Sequence, residues 1–143
     1  MTSYISLPTF AASLDQRLRL AAGACTQCGL VNYPKRRHCL GCNGTSFSET
    51  LLRDTGAIYT FTLIAAGGAP AEFDQQQTLT GAIAVGVIAL YDGPRVIGQI
   101  VAPHPEALAI GTRVRAYPRR LYDQEGIVRY GLKFLPIGTP VGE

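Results

Sequence analysis

The spacing of apolar positions divides the chain into three regions. In the first, apolar residues such as Phe10 and Leu14 recur at three- and four-residue steps, the period of an amphipathic helix. We expect this helix to end near Gln16, and the alternation of residues 17–20 then predicts a short strand. A single helix that continues to Ala22 is the alternative.

The third region, from residue 53 onward, has the pattern of an all-β domain. Its apolar stretches alternate or are rich in β-branched and aromatic residues, and no helical period separates them. Residues 65–77 contain Gly, Pro and three consecutive Gln, which predicts a flexible loop. Gly86 inside a strand is typical of a barrel corner. The pattern predicts a small barrel or sandwich with strands at 57–64, 79–90, 95–101, 111–117 and 127–135.

The region between them, residues 23–52, has too few apolar residues to build a core. It holds all four cysteines, as two CxxC pairs. Gly29 follows the first pair and Asn43-Gly44 the second, and such residues let the backbone turn back toward the thiolates. The spacing predicts a closed structural zinc site, and two disulfides or a rubredoxin-like iron centre are the alternatives. The predicted ligands are Cys25, Cys28, Cys39 and Cys42.

Composition narrows the class of protein. The chain has 143 residues, of which 47% are apolar, as is ordinary for a globular protein. Its longest apolar run is too short for a membrane span, and its first residues lack the pattern of a secretory signal. We therefore expect a cytoplasmic, reducing location, where clustered cysteines usually bind metal.

The sequence offers no convincing catalytic residues. His38 reads as a surface loop residue beside the cysteines, and His104 lies between two prolines without a neighbouring acid or nucleophile. The acidic residues are scattered, and no nucleotide-binding or nucleophile-elbow motif occurs. We therefore predict no catalytic residue in this chain.

Basic residues form two sets in a chain whose net charge is only +3. One set lies inside the cysteine loop, and the other shares one sheet face if the last two strands pair. The residues alone leave two interpretations of these sets: a solvated surface, or a binding site for the phosphates of nucleic acid or of a cofactor. The sets are Lys35, Arg36 and Arg37, and then Arg113, Arg115, Arg129 and Lys133, with Arg119 and Arg120 extending the second.

The order of helix, four-cysteine ribbon and five-stranded region resembles the acyl-CoA-associated zinc-ribbon/OB-fold family. The most specific likeness is the Gly-x-hydrophobic-Tyr-Thr-Phe-Thr element at residues 56–62, after the cysteine pairs and the Pro-basic element at 34–36. The resemblance implies a mainly β fold: an N-terminal helix with a lead-in strand (1–22), a rubredoxin-like zinc ribbon (23–52) and a five-stranded OB-fold barrel with a C-terminal tail (53–143).

The resemblance also implies a function. Members look like non-catalytic accessory subunits of thiolase-like enzymes that make or break carbon–carbon bonds in acyl-CoA substrates. A thiolase-like subunit supplies the chemistry, a 2:2 heterotetramer is expected, and the small subunit flanks the opening through which CoA enters. On this view zinc is structural, CoA thioester is the substrate of the complex, and the two basic sets approach the CoA phosphates.

Two other functions stay open. Zinc ribbons and OB barrels also occur in proteins that bind single-stranded nucleic acid, and Tyr117 and Tyr130 could stack on bases. The modest net charge disfavours that function. Electron transfer through a four-thiolate iron centre is the third hypothesis.

Overall fold

A computed structural model describes residues 14–137. These residues divide into two compact units, one of residues 14–53 with Asp92–Pro94 and one of residues 54–91 with 95–137. Most of the predicted N-terminal helix lies outside the described residues. Within them, no helix is long and apolar enough to cross a membrane.

The first unit begins with helix α1, residues 14–19. The predicted strand at residues 17–20 is therefore wrong, as is a helix continuing to Ala22. Arg17 and Leu18 favour a helix intrinsically, and Asp15 and Arg19 form an ion pair one turn apart, at 4.0 Å. The helix stops at Leu20, whose φ of 54° cannot continue a right-handed helix.

Three short strands follow α1: β1 (Ala21–Cys25), β2 (Val31–Asn32) and β3 (Phe47–Leu51). They form an antiparallel sheet in the order β2-β1-β3, so β1 is central. Ala21 and Ala22 are buried in it. Since β1 ends at Cys25 and the first CxxC turn joins β1 to β2, the sheet holds that turn in place.

The second unit is a closed five-stranded barrel, as the family resemblance implied. The strands are β4 (Thr55–Ile64), β5 (Ile83–Leu90), β6 (Arg95–Ile100), β7 (Arg113–Gln124) and β8 (Ile127–Pro136). Their order around the barrel is β4-β5-β6-β8-β7. The predicted fold class is thus confirmed, with the zinc ribbon preceding an OB-fold barrel.

Two parts of the barrel unit differ from the prediction. Strand β7, expected at 111–117, continues to Gln124. The segment before β5 differs more. Residues 65–77 were expected to be a flexible loop, and 79–90 one long strand. Instead a 3-10 turn, Ala71–Phe73, leads into helix α2, Asp74–Thr80, and β5 starts only at Ile83. Glutamine is a good helix former, and Gly81, with a φ of 78°, ends the helix.

Alternating side chains of the barrel strands fill its interior. Ile58, Ile88 and Val114 are completely or almost completely buried, and Phe134 is 2% exposed. Gly86 lies in this interior where a Cβ would come within 2.9 Å of the Thr60 carbonyl oxygen, which explains glycine at this position. The opposite faces of the same strands carry the basic residues discussed below.

Candidate metal centre and basic surfaces

The structure brings the four cysteine sulfurs into one cluster. Their Sγ atoms all lie within 4.8 Å of one another, with Cys25 and Cys42 at 3.4 Å and Cys28 and Cys39 at 3.5 Å. Four sulfurs placed about 2.3 Å from a central zinc ion are about 3.8 Å apart, so the cluster has the size that zinc requires. Among the described residues, no other set of three or more potential ligands forms such a cluster.

Each CxxC turn curls around its sulfurs through the backbone. The N–H of Gly29 donates to the carbonyl oxygen of Cys25, and the N–H of Asn43 donates to that of Cys39, both at 2.9 Å. Both turns need a left-handed residue, with φ of 78° at Gly29 and 62° at Asn43. The two turns therefore have nearly the same backbone conformation. The glycine after the first cysteine pair and the asparagine after the second predicted this backward turn of the chain.

Asn32 supports the cysteine cluster through hydrogen bonds, a role that the sequence did not predict. It is 1% exposed and lies at the end of β2. Its amide nitrogen donates to the Leu30 carbonyl oxygen at 3.1 Å and to Cys39 Sγ at 3.5 Å, and its amide oxygen accepts from the N–H of Leu40 at 3.0 Å. Asn32 thereby joins β2 to the second CxxC turn.

The electrostatics of the cluster favour a divalent cation. Hydrogen bonding from the backbone of Cys42, supported by Asn32 and the backbone of Gly41, lowers the pKa of Cys39 to about 6. At Cys42 the backbone N–H of Gly44 favours the thiolate, but competition with the neighbouring thiols, Cys25 first, and burial raise its pKa to about 12. Four crowded sulfurs cannot all ionise without a cation, and four thiolates around a tetrahedral ion are a zinc donor set.

The three basic residues of the ribbon, Lys35, Arg36 and Arg37, differ in their contacts. Lys35 forms an ion pair with Glu49 on β3, and this contact lowers the pKa of the Glu49 carboxyl. Arg36 and Arg37 are exposed and line an open cleft of about 700 Å³ together with His38. Lys35 is exposed as well, but its charge is paired with Glu49, whereas the two arginines line the cleft.

The basic set of the barrel shares one face of the β7–β8 ladder, because the last two strands pair as anticipated. Arg115 lies opposite Leu135, and Tyr117 opposite Lys133. Arg113 donates to the Tyr91 hydroxyl at 3.2 Å, and Arg115 lies 3.7 Å from Asp54. Alternation along β8 puts Arg129 on the same face as Lys133.

Lys133 departs from the rest of its set. It is only 7% exposed, whereas Arg113 and Arg115 are exposed and Arg129 is half-buried. The two histidines are both exposed, and His104 lies 3.6 Å from Glu106. No described histidine belongs to the cysteine cluster.

The fold and the cluster together define a class: a four-cysteine zinc ribbon followed by an OB-fold barrel. The profile of the "ChsH2, rubredoxin-like zinc ribbon domain" matches residues 13–48, and that of the "ChsH2, C-terminal OB-fold domain" matches residues 49–118. The chain belongs to this ChsH2-type zinc-ribbon/OB-fold family.

Similar proteins include several named DUF35 domain-containing scaffold protein. The one from Methanocaldococcus jannaschii is 35% identical over 87% of this chain and 86% of its own length. Those of Methanothermobacter thermautotrophicus and Pyrococcus furiosus are 30% and 28% identical, over 86% and 85% of this chain and 90% and 86% of their own lengths.

One solved structure, named Ltp2-ChsH2(DUF35) aldolase, has a chain with the same fold. The two chains superpose with a TM-score of 0.66, covering 94% of this chain and 98% of the other, at 19% identity. This likeness extends the fold assignment over almost the whole chain.

Proposed function

We propose that this protein is a non-catalytic, zinc-binding accessory subunit of a thiolase-like enzyme complex that makes or breaks carbon–carbon bonds in acyl-CoA substrates. The observation that carries the proposal is the 35% identity, over most of both chains, to a protein named as a scaffold. The solved Ltp2-ChsH2(DUF35) aldolase, whose name pairs a protein of this fold with an aldolase, supports the same type of assembly.

The metal has a structural role in this proposal. Cys25, Cys28, Cys39 and Cys42 would hold zinc with four protein ligands, which leaves no position for water or substrate. Zinc supplies folding energy to a segment whose short strands cannot support a core by themselves. The chemistry then belongs to the partner subunit, and a 2:2 heterotetramer is the expected assembly.

The basic sets are the proposed contacts to the phosphates of CoA. Arg113 and Arg115 on β7 share one face of the sheet with Arg129 on β8, and Arg36 and Arg37 line the cleft beside the cysteines. Arginine suits this role because its planar fork donates two parallel hydrogen bonds to a phosphate. Lys35, paired with Glu49, and Lys133, buried, contribute less to a surface phosphate site than the arginines do.

Affinity purification of the tagged protein from its native cells tests the assembly. The proposal predicts a thiolase-like chain in stoichiometric amount, identified by mass spectrometry. Recovery of the protein alone, or with RNA-binding proteins, would contradict it. The second outcome would instead favour the single-stranded nucleic-acid hypothesis.

Charge reversal in the purified complex tests the CoA contacts. Arg113→Glu, Arg115→Glu and Arg129→Glu together are expected to raise the KM for the CoA substrate at least about tenfold, since each charged hydrogen bond contributes about 1.5–3 kcal/mol. The matched control is Arg95→Glu, because Arg95 lies on β6 and stacks on Tyr59 at 3.9 Å. An unchanged KM in the triple variant, with the complex intact, would refute this part of the proposal.

A further inference from the structure

Lys133 is a buried cation in the barrel unit. It lies on β8 opposite Tyr117 and is only 7% exposed. Lysine is almost never buried to this extent unless its charge is paired, because moving an ammonium ion out of water costs several kcal/mol. Its surroundings therefore require an explanation.

Within the described residues, Lys133 lacks a charged partner. No carboxylate of residues 14–137 lies within 4.0 Å of its ammonium group. Its hydrogen bond to the Gln76 amide oxygen is 3.5 Å long, at the outer limit for such a bond. Gln76 is held in this orientation because its amide nitrogen donates to Gln99 at 2.9 Å.

The electrostatics agree with an uncompensated charge. Burial, and then the nearby positive charge of Arg119, lower the pKa of Lys133. An anion beside the ammonium group would oppose both effects. Both effects disfavour the ammonium form, and a neighbouring anion would stabilise it.

A cleft of about 500 Å³ adjoins Lys133, between α2 and the β7–β8 hairpin. This volume is within the range of small-molecule sites and far larger than a single ion needs. Leu79 and Leu121 contribute apolar surface to its wall, and Lys133 and Arg120 contribute positive charge. The lining therefore combines an apolar wall with a buried cation.

The other charges of the cleft restrict the anion. Glu72, Asp74 and Asp123 also line it, and Asp123 lies 3.7 Å from Arg120. The lining holds three carboxylates and two cations, and Arg119 adds a third positive charge near Lys133, so the cleft accepts one negative charge better than a multiply charged phosphate. A single carboxylate can reach Lys133 while an apolar body contacts the leucines.

We propose that the cleft between α2 and the β7–β8 hairpin binds a small-molecule monocarboxylate with an apolar body, whose carboxylate pairs with Lys133. Gln76, whose amide oxygen accepts the long hydrogen bond from Lys133, lines the same cleft. The proposal does not depend on the partner enzyme, because every residue of the site belongs to the barrel unit.

The chain has two lysines, which makes the test direct. Zinc-loaded full-length protein, isotope-labelled at lysine Cε, gives one NMR cross-peak for Lys133 and one for Lys35. Hexanoate and benzoate are the probes, and inorganic phosphate and chloride at equal ionic strength are the controls. We expect a saturable shift of the Lys133 cross-peak with either carboxylate and no shift of the Lys35 cross-peak.

Each other outcome overturns the proposal. An unmoved Lys133 cross-peak excludes the site, and equal movement of both lysines means a general salt effect. An equal response to phosphate refutes the selection of a monocarboxylate. Calorimetric titration with hexanoate supplies the variant test: Lys133→Met is expected to bind at least about tenfold more weakly, and the control Lys35→Met to bind as the parent does.

Discussion

Asn32 provides the sharpest test of how the cysteine cluster is held. Its buried amide contacts the sulfur of Cys39 and the backbone N–H of Leu40, on the second CxxC turn. Replacing it with alanine removes both contacts to the metal-binding turn. At about 0.5–1.5 kcal/mol for each hydrogen bond, the loss is about 1–3 kcal/mol. We therefore expect Asn32→Ala to weaken zinc binding about 10–100-fold, as is typical for groups that support metal ligands.

A second variant separates the two contacts. Asn32→Asp keeps an oxygen that accepts from the N–H of Leu40, but it replaces the N–H donor to Cys39 with a negative charge. Since like charges repel the thiolate, this variant is expected to bind zinc at least as weakly as Asn32→Ala.

Competition with a chromogenic zinc chelator measures these affinities, and circular dichroism confirms that each zinc-loaded variant is folded. Gln27→Ala is the matched control, because this exposed amide lies 3.8 Å from Cys42 Sγ. It is expected to stay within about twofold of the parent. If Asn32→Asp bound zinc as tightly as the parent, the role of Asn32 as a donor to the thiolate would be refuted.

Three further predictions concern the fold. Removing zinc with a chelator should abolish amide-exchange protection across residues 21–52, while strands β4–β8 keep their protection. An equal loss of protection in both units would contradict a structural zinc site confined to the ribbon. Gly86→Ala places a Cβ about 2.9 Å from the Thr60 carbonyl oxygen and should cost about 1–3 kcal/mol in urea unfolding; an unchanged midpoint would show that the corner is not tightly packed. Ile88→Ala should lower the free energy of unfolding by about 2–5 kcal/mol in the same assay, whereas Ile97→Ala, at a position 77% exposed, should lower it by under about 1 kcal/mol. Similar losses for both variants would contradict the assigned core.

The parts of the fold that depend on local pattern were predictable from the sequence. The CxxC spacing predicted that the four cysteine sulfurs converge, because each pair must turn tightly enough to place two sulfurs together. Strand alternation predicted that Arg129 and Lys133 share a face, and that this face includes Arg113 and Arg115 once β7 and β8 pair. Helix α2 was missed because its residues, 74–80, are mostly polar and show no apolar period.

The parts that depend on tertiary contacts were not predictable in this way. Asn32 has no sequence signal for its role, since it reaches Cys39 only after β2 has paired with β1. Lys133 was expected on an open basic face, and its burial depends on side chains such as Gln76 of α2. Because helix α2 was not predicted, the cleft between α2 and Lys133 could not be predicted either.

The proposal as a whole rests on a separate catalytic subunit. Native mass spectrometry of the complex purified gently from its own cells measures this most directly, since it gives the stoichiometry of both chains and the bound metal together. We predict two copies of this chain with two copies of a thiolase-like chain, and one zinc ion held by each copy of this chain. A mass equal to this protein alone, with zinc bound and no second chain, would contradict the proposal.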